Sequence, residues 1–207
     1  LKDVQTGKAQ AELHFGKFAL YLAYFPKLLI GPIERPKAFL AQLQEEHPFD
    51  EDRFVLALSR IGMGLAKRLL LSNRLAVIAN MTFSSPKDFS SPELLIGLMA
   101  FTFQVYVDFS AYTDIAIGLS SLFGIDLTEN FQQPYFANSI VDFWRRWHIT
   151  FSTWLRDYVF LPLEFESRRV RTKSMQYLNT LITFLISGMW HGATINFLLW
   201  GGLHGAY

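Results

Sequence analysis

The sequence predicts an all-α fold: a polytopic integral membrane helix bundle with re-entrant and interfacial amphipathic helices, in one domain over residues 1–207. Three observations lead there. Of 207 residues, 51% are hydrophobic and 16% aromatic, at a mean hydropathy of +0.19, above an ordinary soluble domain. From Glu93 to Gly124 the chain is almost uninterruptedly apolar, longer than the roughly 20 residues a helix needs to cross hydrocarbon. Residues 139–161, SIVDFWRRWHITFSTWLRDYVFL, place tryptophans at helical spacing between arginines, as in a helix lying in a membrane interface. The chain opens at Leu1 without a leader and stops inside GGLHGAY, so it reads as truncated at both ends.

Composition also excludes function classes. A formal net charge of +1 gives no field to hold nucleic acid. The absence of cysteine removes disulfides, thiolate nucleophiles and thiolate metal sites. The five histidines, His14, His47, His148, His191 and His204, show no metal-ligand spacing, so no metal is expected. Neither a G-x-S-x-G elbow nor a glycine-rich phosphate loop is present.

Taken in order, HFGKFALYLAYFPKLLIGPI (14–33) is apolar over a bilayer's width but carries Lys17, Pro26, Lys27 and Pro32. That pattern predicts a broken or re-entrant helix covered by other protein. A polar connection follows, then two apolar blocks over 54–81 around Lys67 and Arg68, then the loop SSPKDFSSPE. Within the long apolar stretch, QVYVDFSAYTDI (104–115) alternates with period two, which by itself argues for a strand. An unpaired strand would leave its backbone unsatisfied in lipid, so a helix is predicted, interior to a bundle because Asp108 and Asp114 fall on different faces. Both aspartates read equally as members of a site or as partners of the arginines downstream.

In 139–161, Ser139 and Asp142 form an S-x-x-D capping box and Pro162 closes the segment. Arg145, Arg146 and Arg156, with the basic loop ESRRVRTK (166–173), mark the cytoplasmic side. The chain is then expected to cross the membrane from Gln176. His191 would lie roughly 20 Å beyond that start, deep in the bilayer. The ordinary reading of a lone histidine in an apolar run is a packed core residue. At such depth an ionisable group is costly, which turns His191 into a functional candidate.

The combination FWRRWHITFSTWLRDYVFLPL and LISGMWHGATINFLLWGGLHG, preceded by FPKLLIGPIERP and QVYVDFSAYTDIAIG, resembles the membrane-bound O-acyltransferase family. The branch it is similar to is that of the alginate O-acetyltransferases, with the peptidoglycan O-acetylating proteins and the D-alanyl transferases of teichoic acid as relatives. The resemblance runs from about residue 15 to 207. It implies a multi-pass enzyme of the bacterial cytoplasmic (inner) membrane, of whose fold this chain would be a fragment. Such an enzyme passes an acyl group, acetyl in this branch, from a cytoplasmic thioester (acetyl-CoA or an acyl carrier) to a hydroxyl of an extracytoplasmic polysaccharide or relay protein. No bound cofactor is implied. The family's two histidines fall on His191 and His148.

Acyl transfer to an alcohol needs a base for the hydroxyl proton and a stabiliser for the oxyanion. An uncharged His191 suits the first task, with Ser187 and Thr194 as orienting groups on its helical face. Trp190 and Asn196 are candidates for shaping the pocket, Asp108 and Arg156 for support or substrate binding. His148 is a catalytic candidate or a donor-side gate. Two other readings compete: a transporter relaying protons through Asp108, Asp114 and His191, and a non-catalytic scaffold of a polysaccharide-export complex.

Overall fold

The computed structural model describes residues 2–7, 9–28, 30–167 and 172–207, and all regular structure among them is helical. Arg168, Arg169 and Arg171, the centre of the expected basic loop, lie outside the described residues. The chain divides into two compact units, Leu1–Asn130 and Phe131–Tyr207.

The first unit begins with the short α1 (Lys2–Gln5) and α2 (Phe15–Ala23). The His14 side chain caps α2 by accepting from the Lys17 amide. At Tyr24 the backbone turns extended before α3 (Phe25–Leu28), whose first turn holds Pro26. Proline fits a first turn because its missing N–H would be unpaired there anyway. The broken helix expected over 14–33 is thus two helices and a turn. After α4 (Pro36–Gln42), Asp50 caps α5 (Glu51–Ala66) through the Arg53 amide. This helix runs on through a π-helical stretch, Lys67–Ser72, into α6 (Asn73–Ser84).

The long helix α7 (Ser91–Leu122) opens on a full capping box, with Ser90 and Glu93 bonding reciprocally. Its 32 residues span about 48 Å at 1.5 Å per residue. Among the described residues it is the one helix long and apolar enough to cross a membrane. The alternating stretch 104–115 lies wholly inside it, so the apolar context outweighed the period-two pattern. It packs antiparallel on α5 and α6. A Cβ on Gly64 would meet the Ala111 carbonyl at 2.7 Å, and one on Gly118 the Ala57 carbonyl at 2.9 Å. The tail of α7 joins a small core of Tyr24, Phe39, Ile117, Ile125 and Leu127, pinned by a 2.9 Å hydrogen bond between Tyr24 OH and Ser120 Oγ.

The second unit corrects the reading of 139–161 as one helix. Ser139 does cap α8 (Ile140–Arg146) by accepting from the Asp142 amide. The Asp142 carboxylate instead accepts from the Asn138 amide and from Arg146 Nε, so only half of the predicted box forms. The helix then breaks at Trp147 and His148, and His148 takes the left-handed conformation at φ 43° and ψ 54°. The chain resumes as α9 (Ile149–Leu155), widens into a π-helical stretch over Arg156–Phe160 and continues as α10 (Leu161–Glu166). Pro162 does not close the segment. In an α-helix its ring would collide with the carbonyl four residues back, and the wider π turn just before it relieves that clash.

The single crossing expected from Gln176 is also revised. Helix α11 (Lys173–His191) ends at His191, and after Gly192 the chain folds back as α12 (Ile195–Ala206). The two form an antiparallel hairpin sealed by glycines. A Cβ on Gly188 would stand 2.2 Å from the Phe197 carbonyl oxygen, and one on Gly201 2.4 Å from that of Phe184. Thr194 is therefore the N-cap of the returning helix, not a neighbour of His191 on one helical face. Hydrophobicity alone cannot place such a turn, because both arms are apolar.

Candidate active site

His191 sits at the apex of the hairpin, where the last turn of α11 meets the first of α12. Three aromatic rings surround it: Phe197 stacks at 5.9 Å between centroids, Trp200 meets it edge-on at 5.3 Å, and Phe151 edge-on at 6.2 Å. The remaining side of the residue is exposed. The imidazole is thus held by aromatic walls and open on one side.

Phe151, only 2% exposed, also stacks on His148 at 5.0 Å. The helix break produces this arrangement: the left-handed turn at His148 starts α9 afresh, so that Phe151 follows one turn later and carries both imidazoles against one ring. Burial, with a smaller contribution from the neighbouring His191, pushes His148 from the ordinary imidazole value of 6.5 down to about 4. It is neutral at physiological pH. The structure thus brings together the two histidines that sequence reasoning singled out 43 residues apart, 191 minus 148.

The supporting candidates divide. Trp190 borders the same cluster, 5.7 Å from Phe151 and 6.1 Å from Trp154, with 64% of its surface exposed. Asn196 is exposed on the first turn of α12. Ser187, one turn before His191, is 1% exposed and lines a cavity of about 680 Å³ between α8, α9, the π stretch, α11 and α12. Arg156 is on the wall of that cavity and pairs with Asp157 at 2.9 Å. Neither His148 nor His191 lines it. His204 does, and sequence reasoning gave it no role. Its Nδ1 bonds the Trp200 carbonyl at 2.8 Å, and its ring lies against Trp200, Trp144 and Phe184. Its spacing of four from Trp200 was the available signal.

Asp108 belongs to the first unit and to a different cluster. It accepts from Arg68 Nη1 and from Ser72 Oγ. Asp114 accepts from Lys67 Nζ at 2.6 Å and from Arg60, which also holds Glu129 by two 2.6 Å bonds. The partners are cations upstream on α5 and the π stretch, not the arginines downstream. Carboxylates so engaged are tied up in ion pairs rather than free to pass protons, which weighs against the relay reading. Among the described residues no cluster of histidines and acids could hold a metal ion.

Among the described residues, then, all regular structure is helical, one helix is long enough and apolar enough to cross a membrane, and two imidazoles meet on the ring of Phe151. The family model for membrane-bound O-acyltransferases matches residues 6–207, and the chain belongs to that family. It is 38% identical over 205 residues to a probable alginate O-acetylase, AlgI, of Pseudomonas fluorescens, covering 99% of this chain and 40% of that protein. It is 37% identical over 194 residues to a peptidoglycan O-acetyltransferase of Helicobacter pylori, covering 93% of this chain and 36% of the relative. A teichoic acid D-alanyltransferase of Bacillus subtilis is 24% identical over 210 residues, covering 99% and 53%. The chain spans about two fifths of the length of the first two relatives.

Proposed function

We propose that the chain is the histidine-bearing part of a multi-pass O-acyltransferase of the bacterial inner membrane. It would move an acyl group, acetyl by its relatives' names, from a cytoplasmic thioester such as acetyl-CoA or an acyl carrier to a hydroxyl of an extracytoplasmic polysaccharide or relay protein. The two units would then serve one catalytic domain, with α8 to α10 in the interface and the α11–α12 hairpin dipping into the bilayer. The observation that carries this reading is the convergence of His148 and His191 on Phe151, in a chain of this family.

In that mechanism His191 is the general base. An ordinary imidazole is already mostly unprotonated at neutral pH, and the open side of the ring leaves room for an acceptor. As the acceptor oxygen attacks the thioester carbonyl carbon, His191 takes the hydroxyl proton. The oxyanion that forms needs donors, and the first amides of α12, which have no carbonyl partner within the helix, stand next to His191 in the chain. Collapse of the tetrahedral intermediate breaks the C–S bond, and the imidazolium returns its proton to the departing thiolate. His148, held neutral, supports this by fixing Phe151, and Trp190 and Asn196 border the acceptor's approach.

The test is His191→Ala in the full-length protein. Ester content of the cell's surface polymers should vanish while the protein remains inserted at normal abundance. Unchanged ester content would leave the scaffold reading in its place, and a pH-dependent ion flux indifferent to acyl donor would favour the transporter.

A further inference from the structure

The cavity in the second unit is separate from the two histidines, and its walls are selective. Its volume, about 680 Å³, falls within the roughly 300–1,000 Å³ range of small-molecule sites. Most of the lining is hydrocarbon and aromatic, from Ile140, Val141, Trp144 and Phe184 among others, and no carboxylate contributes to it. Arg145 and Arg156 supply guanidinium groups, that of Arg156 already paired with Asp157. Arg145 is exposed and makes no ion pair among the described residues.

Trp144 adds an independent observation. It lines the cavity, and its indole Nε1–H is buried without a hydrogen-bond partner among the described residues, whereas the cavity's Ser152, Thr153, Thr180 and Thr183 all donate to backbone carbonyls. A buried donor without a partner is costly, and an acceptor held in the cavity would relieve it.

We propose that this cavity binds an anionic membrane phospholipid, an acyl chain lying along the apolar wall, an ester oxygen accepting from Trp144 Nε1 and the phosphate meeting Arg145. A bilayer lipid fits better than a soluble phosphate compound because the wall is chiefly apolar and the chain belongs to a membrane-bound family. The site is distinct from the one proposed for acyl transfer.

The experiment uses the full-length protein in mild detergent, with phosphatidylglycerol or phosphatidylcholine added and retention read by native mass spectrometry. One phosphatidylglycerol should be retained in preference to phosphatidylcholine. Arg145→Gln should lower that preference about tenfold, the loss of one charge-assisted contact. Val141→Trp, a change at an exposed rim position, should obstruct the cavity mouth and abolish retention without altering the melting temperature. Equal retention of the two lipids, no retention by the wild type, or displacement of the lipid by free coenzyme A would each overturn the proposal. None of these outcomes bears on acyl transfer, which is read by ester formation.

Discussion

Gly188 faces the carbonyl oxygen of Phe197 so closely that a Cβ on residue 188 would come within 2.2 Å of it. This contact joins the two arms of the hairpin directly below His191, so the position of the imidazole depends on the absence of a methyl group three residues earlier. Gly188→Ala should force the arms apart and destabilise the protein by about 1–3 kcal/mol, the ordinary cost of overpacking. Gly202→Ala is the control, since nothing lies within 4 Å of a Cβ there; it should be neutral or stabilising by up to about 1 kcal/mol through helix propensity. Thermal unfolding in detergent compares them, and equal effects would contradict the packing described.

Phe151 supports both histidines. Phe151→Leu keeps apolar volume but removes the flat ring on which His148 stacks, at a stability cost of about 1.5 kcal/mol or less. In the full-length enzyme, kcat should fall well below that of the parent while KM for the acyl donor changes little, since the contact orients rather than binds. A change confined to KM would show that Phe151 touches donor instead.

The neutral His148 has a pH consequence. In the unfolded chain it takes up a proton near its ordinary value of 6.5, whereas in the fold it resists protonation down to about 4. Between those values the unfolded state binds more protons, so stability falls as pH drops through that window and is unaffected by this residue above it. Replacing His148 by Gln should flatten the part of the stability profile between about pH 6.5 and 4. Unfolding midpoints of the two proteins across that range provide the check, and parallel curves would refute the assignment.

The ion pairs of the first unit should differ in worth. Asp114, with its side chain 16% exposed, holds Lys67 and Arg60 at once. Asp114→Asn should destabilise by a few kcal/mol, toward the roughly 3–5 kcal/mol seen when a buried pair loses one partner. Asp126, 77% exposed in its pair with Arg53, should lose about 1 kcal/mol or less on the same change. Raising salt should weaken the second effect more than the first.

Residue types and local chemistry predicted much of this molecule. Lipid's intolerance of unpaired backbone selected helix for 104–115 against its own alternation. The cap at Ser139 was also legible. What escaped was set by three-dimensional packing. The turn at Gly192 separates two arms of equal hydrophobicity, so no change of composition announces it. The left-handed His148 gives little local signal, because most histidines, though enriched among residues at positive φ, still adopt negative φ. The cations that meet Asp108 and Asp114 come from some forty to fifty residues upstream, and only the antiparallel packing of α5 to α7 brings them close. His204 was hidden by the same fold-back, which builds its cavity from both ends of the second unit.

The stretch Lys67–Ser72 is closed by a bond one residue longer than an α-helix uses, from the Asn73 amide to the Arg68 carbonyl, five positions back. A point substitution leaves that surplus in place. Removing one amino acid would let the rod relax into an ordinary spiral and shift Lys67 and Arg68, the first residues of the stretch, out of step with their two acidic partners. For this part of the molecule chain length, more than side-chain identity, is the quantity under constraint.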